Sequence, residues 1–134
     1  MSTDDDVPEG KKMEARALVV GGGPAGLTTA LALSAAGASV TLAAPPTAAA
    51  SADGVRDPRT TALFGDSITL LENLGIWPRI SSRVAPLVGL RLVDDTGGLF
   101  RAPEILFEAG EIGRETFGYN IENDVLNAAL SAAI

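Results

Sequence analysis

The chain has no cysteine and no histidine. The first absence excludes disulfides and thiolate chemistry; the second removes the commonest general base and the commonest metal ligand, so no metal site is assigned. Aromatic residues make up only 4%, and the ten basic residues form no patch in a chain of net charge −7, which argues against a nucleic-acid partner. Charge is also missing locally. No charged residue occurs from Ala17 to Ala52, a run long enough to span a bilayer. Glycines and a proline cut that run near its start, Gly37, Pro45 and Pro46 cut it again, and no Lys/Arg cluster flanks it, so it reads as a buried βαβ core. Residues 1–14 lack the basic-then-apolar pattern of a secretory signal; with Asp4-Asp5-Asp6 and no periodicity they predict a disordered acidic tail.

At 134 residues and 46% hydrophobic content, the chain has room for one modest domain with a core. Its most informative stretch is Gly21-Gly22-Gly23-Pro24-Ala25-Gly26, set between the apolar run Ala17-Leu18-Val19-Val20 and an Ala/Leu-rich helical stretch. Strand, glycine turn and helix in this order form the context of a dinucleotide-binding turn. Gly21 lets the chain leave the strand sharply, Gly23 lets the backbone approach a pyrophosphate, and Gly26 lets the helix pack tightly on the strand. The unpaired N–H groups of the first helical turn then face the phosphate charge. Pro24 suits an early helical position, which needs no N–H.

The first strand is predicted from about Arg16 to Val20, the first helix from Pro24 to Ala36 with Gly37 as its stop, and a parallel second strand over Ser39–Ala43. Thr47 to Gly54 reads as a loop. Asp57-Pro58-Arg59-Thr60-Thr61 is expected to open a second helix with Leu63, Ser67, Leu70, Leu71 and Leu74 on one face; Gly75 stops it and Pro78 prevents its resuming. Leu87–Asp94 reads as a strand, with Leu99–Ala102 returning antiparallel after the turn signal Asp94–Gly98. Ile105–Phe107 and Phe117–Tyr119 add short extended pieces, and Asn123 caps a last helix over Asp124–Ala133. The fold class is therefore α/β: a partial Rossmann-like βαβ unit, an antiparallel β section and a C-terminal helix. The expected divisions are 1–14 tail, 15–86 nucleotide-binding unit, 87–122 antiparallel section and 123–134 returning helix. Two parallel strands are fewer than a Rossmann half needs, so the sequence reads as the front part of something larger, and the exposed sheet edges predict self-association.

Three stretches together resemble the N-terminal part of the FAD-dependent aromatic-ring monooxygenases of the ubiquinone-biosynthesis hydroxylase family. They are Leu18–Leu27, then Asp57-Pro58-Arg59-Thr60-Thr61-Ala62-Leu63 running on to Leu74-Gly75-Ile76-Trp77, then Phe117-Gly118-Tyr119-Asn120-Ile121-Glu122-Asn123 with Leu126 and Leu130. The resemblance implies that Gly21, Gly22, Gly23, Pro24, Ala25 and Gly26 hold the FAD pyrophosphate. It also implies that Arg59 reaches the cofactor, as a guanidinium pairs with phosphate oxygens in a fork; a solvated arginine near a helix start is the alternative. For a complete protein it implies that NAD(P)H reduces FAD and that the reduced flavin uses O₂ to hydroxylate an electron-rich aromatic substrate. That chemistry needs neither His nor Cys, and no catalytic side chain is assigned. The implied location is cytoplasmic, with peripheral contact to a membrane that would hold a prenylated substrate.

The chain departs from the family pattern in three places. The family usually carries an acid at the end of the second strand for the adenosine ribose, and that position holds Ala44. Asp53 lies nearby in sequence without a geometric reason to replace it. Where the family often has a Gln near the flavin, this chain has Tyr119 and Asn120, and Tyr119 reads as ordinary half-buried packing. Family members also continue well beyond Ile134, and the chain by itself is expected not to be catalytically competent. A non-enzymatic nucleotide-binding or interaction fragment, and an NAD-binding Rossmann domain of a dehydrogenase, are the competing readings.

Overall fold

Apolar alternation and glycine punctuation place β1 at Arg16–Val20, α1 at Pro24–Ala35 and β2 at Ser39–Ala43, as the sequence predicts. The structure, a computed structural model, describes residues 15–45, 58–97 and 101–134. The acidic tail, the Thr47–Gly54 loop, Asp53, Asp57 and Leu99 lie outside the described residues. After β2 come β3 (Thr60–Phe64), α2 (Gly65–Asn73), α3 (Trp77–Ile80), β4 (Ala85–Leu87), β5 (Gly89–Leu92), β6 (Ile105–Glu108), β7 (Gly118–Glu122) and α4 (Asn123–Ser131). The strands form a parallel pair β1-β2, a three-stranded sheet ordered β3-β7-β4 and a pair β5-β6. The result is an α/β unit followed by antiparallel strands and a closing helix.

In the parallel pair, Arg16 lies opposite Ser39 and Val20 opposite Ala43. Its Ala17/Val19 and Val40/Leu42 rows are half-buried, whereas Leu18 and Val20 stand 66% and 77% exposed on the other face. Parallel sheets are normally covered on both faces, so this one has a bare side. Gly37, at φ +87, ends α1: its N–H donates to the Ser34 carbonyl and that of Ala38 to the Leu33 carbonyl. Gly75 ends α2 in the same way, at φ +68.

The second helix departs from expectation. Thr60–Phe64 is a strand, paired antiparallel with β7 from Thr60 opposite Glu122 to Phe64 opposite Gly118, and the helix starts only at Gly65. Two β-branched threonines favour the extended chain, and Gly118 lets β7 come close enough to pair, since a Cβ there would fall on the Leu63 carbonyl. Leu63 is buried from a strand, and α2 turns Leu71 and Ile68 inward rather than Ser67 and Leu70. Pro78 does not end helical structure either. It sits in the first turn of α3, where its missing N–H is no loss.

The expected strand from Leu87 is two strands in different sheets, because β4 pairs with β7 and β5 with β6. They part at Val88, whose carbonyl accepts the Ala109 N–H. The return partner of β5 is Ile105–Glu108 rather than the segment ending at Ala102. Asp94 explains the wider loop: its carboxylate accepts from the Ala102 N–H at 2.9 Å and from the Thr96 hydroxyl at 2.7 Å. The Ala102 N–H, followed by the Thr96 hydroxyl and N–H, holds the Asp94 carboxyl below its ordinary range. In the β5-β6 ribbon Leu90 faces Phe107 and Leu92 faces Ile105 on one side, all four exposed, while Arg91 pairs with Glu104 at 2.5 Å on the other.

The core gathers Leu27 of α1, Leu63 of β3, Leu71 of α2, Ile76, Ile80 of α3, Ile121 of β7, and Leu126 and Leu130 of α4. No polar side chain is among the buried residues described. α4 thereby packs on α1 and ties the antiparallel sheet to the βαβ unit. Glu122 rather than Asn123 stands at its N-cap, without a side-chain cap bond. The Asn123 side chain is engaged elsewhere, accepting from the Thr61 hydroxyl at 2.6 Å.

Candidate functional site

The glycine turn is built by β1 handing over to α1 beside the end of β2. Gly21 leaves the strand at φ +121, a conformation side chains disfavour, and its N–H donates to the Ala43 carbonyl at 2.8 Å. Gly23 is the N-cap residue, and the first helical bond runs from the Leu27 N–H to its carbonyl at 3.0 Å. A Cβ on Gly26 would land on the Gly21 carbonyl oxygen, so only glycine lets α1 cross the turn this closely. A Cβ on Gly23 would meet no atom within 4 Å. This open space lies where the helix presents its first N–H groups, and no side chain caps them and no acidic residue sits in the first turn. Donors, dipole and room therefore fit a pyrophosphate.

Ala44 stands directly beside the turn, since its Cβ would lie 2.8 Å from a Cβ built on Gly22. The residue following β2 thus faces the glycines, but with a methyl group in place of a carboxylate.

Arg59 is exposed, one residue before β3, and its carbonyl accepts the Asn123 N–H at 3.1 Å. That bond extends the β3-β7 ladder by one pair. Two residues before Thr61, Arg59 shares a strand face with Thr61 and Leu63. Those two residues line a cleft of about 450 Å³ together with Pro24 and Ala25 of the first α1 turn, Thr28, and Leu71 of α2. The structure thus brings Gly21 to Gly26 together as one turn and sets Arg59 at the end of a strand bordering the same cleft.

Tyr119 packs edge-on against Trp77, ring centroids 5.4 Å apart at 60°, in keeping with a packing role. Asn120 is half-buried in the central strand, opposite Ala62 and Ala85. The Thr61–Asn123 contact was not legible in the sequence. The adjacent β-branched pair Thr60-Thr61 was the one signal that β3 existed.

A glycine turn of this geometry, at the start of a helix that crosses a parallel strand pair, defines a nucleotide-binding βαβ domain. The FAD binding domain family matches residues 14–118, and the chain belongs to that family. Its cofactor is FAD. The chain is 34% identical over 119 residues to 3-demethoxyubiquinol 3-hydroxylase of Escherichia coli, covering 87% of this chain and 29% of that protein. It is 32% identical over 113 residues to ubiquinone hydroxylase UbiL of Rhodospirillum rubrum, covering 84% and 25%. Among solved structures it is similar to the flavin-dependent monooxygenase PieE in complex with FAD and substrate, at 26% identity and a TM-score of 0.61 over 89% of this chain and 21% of that one. The tetracycline destructase Tet(51) shares the fold, at 22% identity and a TM-score of 0.54 over 89% and 27%. The chain therefore spans less than a third of the length of each of these relatives. Among the described residues, no helix is long and apolar enough to cross a membrane.

Proposed function

We propose that the chain is the FAD-binding portion of a flavoprotein monooxygenase that hydroxylates an aromatic ring of the ubiquinone-precursor type, with NAD(P)H and O₂ as co-substrates. The observation that carries the reading is the crossing of Gly26 over Gly21, which opens the uncapped start of α1 to a pyrophosphate in a chain of the FAD-binding family. The names of the two ubiquinone-pathway hydroxylases support the substrate class. Bound FAD would supply the redox and oxygen chemistry. The residues of this chain supply binding: Gly21, Gly22, Gly23, Pro24, Ala25 and Gly26 cradle the pyrophosphate, and Arg59 adds a fork of donors to its oxygens. Catalysis draws on the larger part of the relatives' length that this chain does not span.

A cytoplasmic location with peripheral membrane contact belongs to the same reading, because a prenylated quinone precursor partitions into lipid. Self-association through open sheet edges is supported by the two-stranded β1-β2 and β5-β6 sheets, whose outer edges pair with no other strand among the described residues.

The test is a titration of the purified chain with FAD, followed by flavin fluorescence, with NAD as control. Saturable binding of FAD and not NAD is the expected result. Preference for NAD would turn the reading to a dehydrogenase domain, and a stable folded chain that binds neither would turn it to a non-enzymatic interaction fragment.

A further inference from the structure

We infer that Asn123, together with Thr61, is a positioning residue that holds Arg59 in place for the cofactor phosphate; this rests on the flavin reading of Arg59 given above. Two bonds of Asn123 lie at the mouth of the β3-β7 ladder. Its N–H donates to the Arg59 carbonyl at 3.1 Å, and its side-chain oxygen accepts the Thr61 hydroxyl at 2.6 Å. Asparagine at a helix start ordinarily turns its oxygen back onto the helix's own N–H groups. Here α4 has no side-chain cap bond, and the oxygen goes across to the neighbouring strand instead.

The place of this clamp is what gives it a role. Arg59 and Asn123 continue the register in which Thr60 faces Glu122 and Thr61 faces Ile121. On the partner strand the chain turns into α4 at Asn123, so the ladder carries no further pair. Arg59 therefore sits in the terminal pair, where a ladder opens most readily. The Thr61–Asn123 bond lies beside that pair and holds it shut. A guanidinium on a long stem loses conformational freedom when it engages a phosphate, and fixing its backbone beforehand reduces that loss. Thr61 also lines the cleft shared with Pro24 and Ala25, so the clamp fixes the strand face that borders the glycine turn.

The experiment compares Thr61→Val, Thr61→Ser and Asn123→Ala, each with Arg59 present and with Arg59→Ala, by FAD affinity. Thr61→Val and Asn123→Ala are expected to weaken FAD about three- to tenfold when Arg59 is present and to have little effect when it is absent. Thr61→Ser, which keeps the hydroxyl, is expected to restore affinity. Equal losses with and without Arg59 would overturn the inference, because a merely structural residue acts the same in both backgrounds. Amide hydrogen exchange supplies a readout that needs no flavin. In Thr61→Val the Asn123 amide is expected to exchange several-fold faster while that of Ile121 is unchanged; an unchanged Asn123 amide would overturn the clamp. Failure of the unsubstituted chain to bind FAD would instead count against the flavin reading, with the exchange measurement still deciding the clamp.

Discussion

Gly26 passes so close over Gly21 that a single methyl group on it would overlap the Gly21 carbonyl oxygen, whereas Gly23, three residues earlier, faces open space. The two glycines therefore serve different ends, and substitution separates them. Gly26→Ala is expected to force α1 away from β1, lowering stability by roughly 1–3 kcal/mol along with FAD affinity. Gly23→Val is expected to change the unfolding midpoint little and, if the proposed pyrophosphate site is right, to abolish flavin retention, because its side chain fills only the open space beside the turn. Thermal unfolding and flavin fluorescence on the same samples check both. Normal retention by the Gly23 variant would remove the turn as the phosphate site.

Ala44 sits against the glycine turn, its methyl group beside Gly22, and under the proposed reading a carboxylate there would reach the FAD ribose. Ala44→Glu is expected to tighten FAD about tenfold by supplying a charged acceptor for ribose hydroxyls. An unchanged dissociation constant in titration calorimetry would mean that the ribose lies away from the end of β2.

Leu130 is fully buried on α4 within the cluster that includes Leu27 of α1. Leu130→Ala is expected to cost about 2–5 kcal/mol, through lost burial and the cavity left behind. Against the marginal stability of a small domain, this is enough to unfold much of the population. Urea unfolding monitored by Trp77 fluorescence measures it, and a loss under about 0.5 kcal/mol would show that α4 is not integral to the core.

Asp94 has its carboxyl lowered by the Ala102 N–H first and by Thr96 second. A depressed folded-state value stabilises the loop above the ordinary aspartate value, about 4, and that contribution is lost as pH falls through the folded value. Amide exchange at Ala102 and Thr96 is expected to lose protection on acidification in this window, and Asp94→Asn to remove the pH dependence. Acid-independent protection at Ala102 would refute the assignment.

The βαβ unit was legible because its signals are local. Gly21 to Gly26 and Gly37 fix the chain's direction within a few residues, and the turn followed from the same glycines. β3 is not legible locally, because Pro58 imitates a helix's first position and Leu63, Leu70, Leu71 and Leu74 imitate one helical face. What makes Thr60–Phe64 a strand is a partner, β7, far along the chain, and a glycine at 118 that lets it approach. Asn123 looks like a cap for the same reason: its preference for a helix start is local, while Thr61, whose hydroxyl donates to its side-chain oxygen, arrives through the tertiary fold. The return of the β5 ribbon comes later than the Gly97-Gly98 pair suggests, because the reach of Asp94 to Ala102 has no local signature.

The β5-β6 ribbon, exposed along both strands, has a further consequence. Little apolar surface links it to the cluster around Ile76 and Ile121, so it is expected to melt as a unit of its own. Denaturation followed at Trp77 and denaturation followed on the ribbon should therefore give separate midpoints.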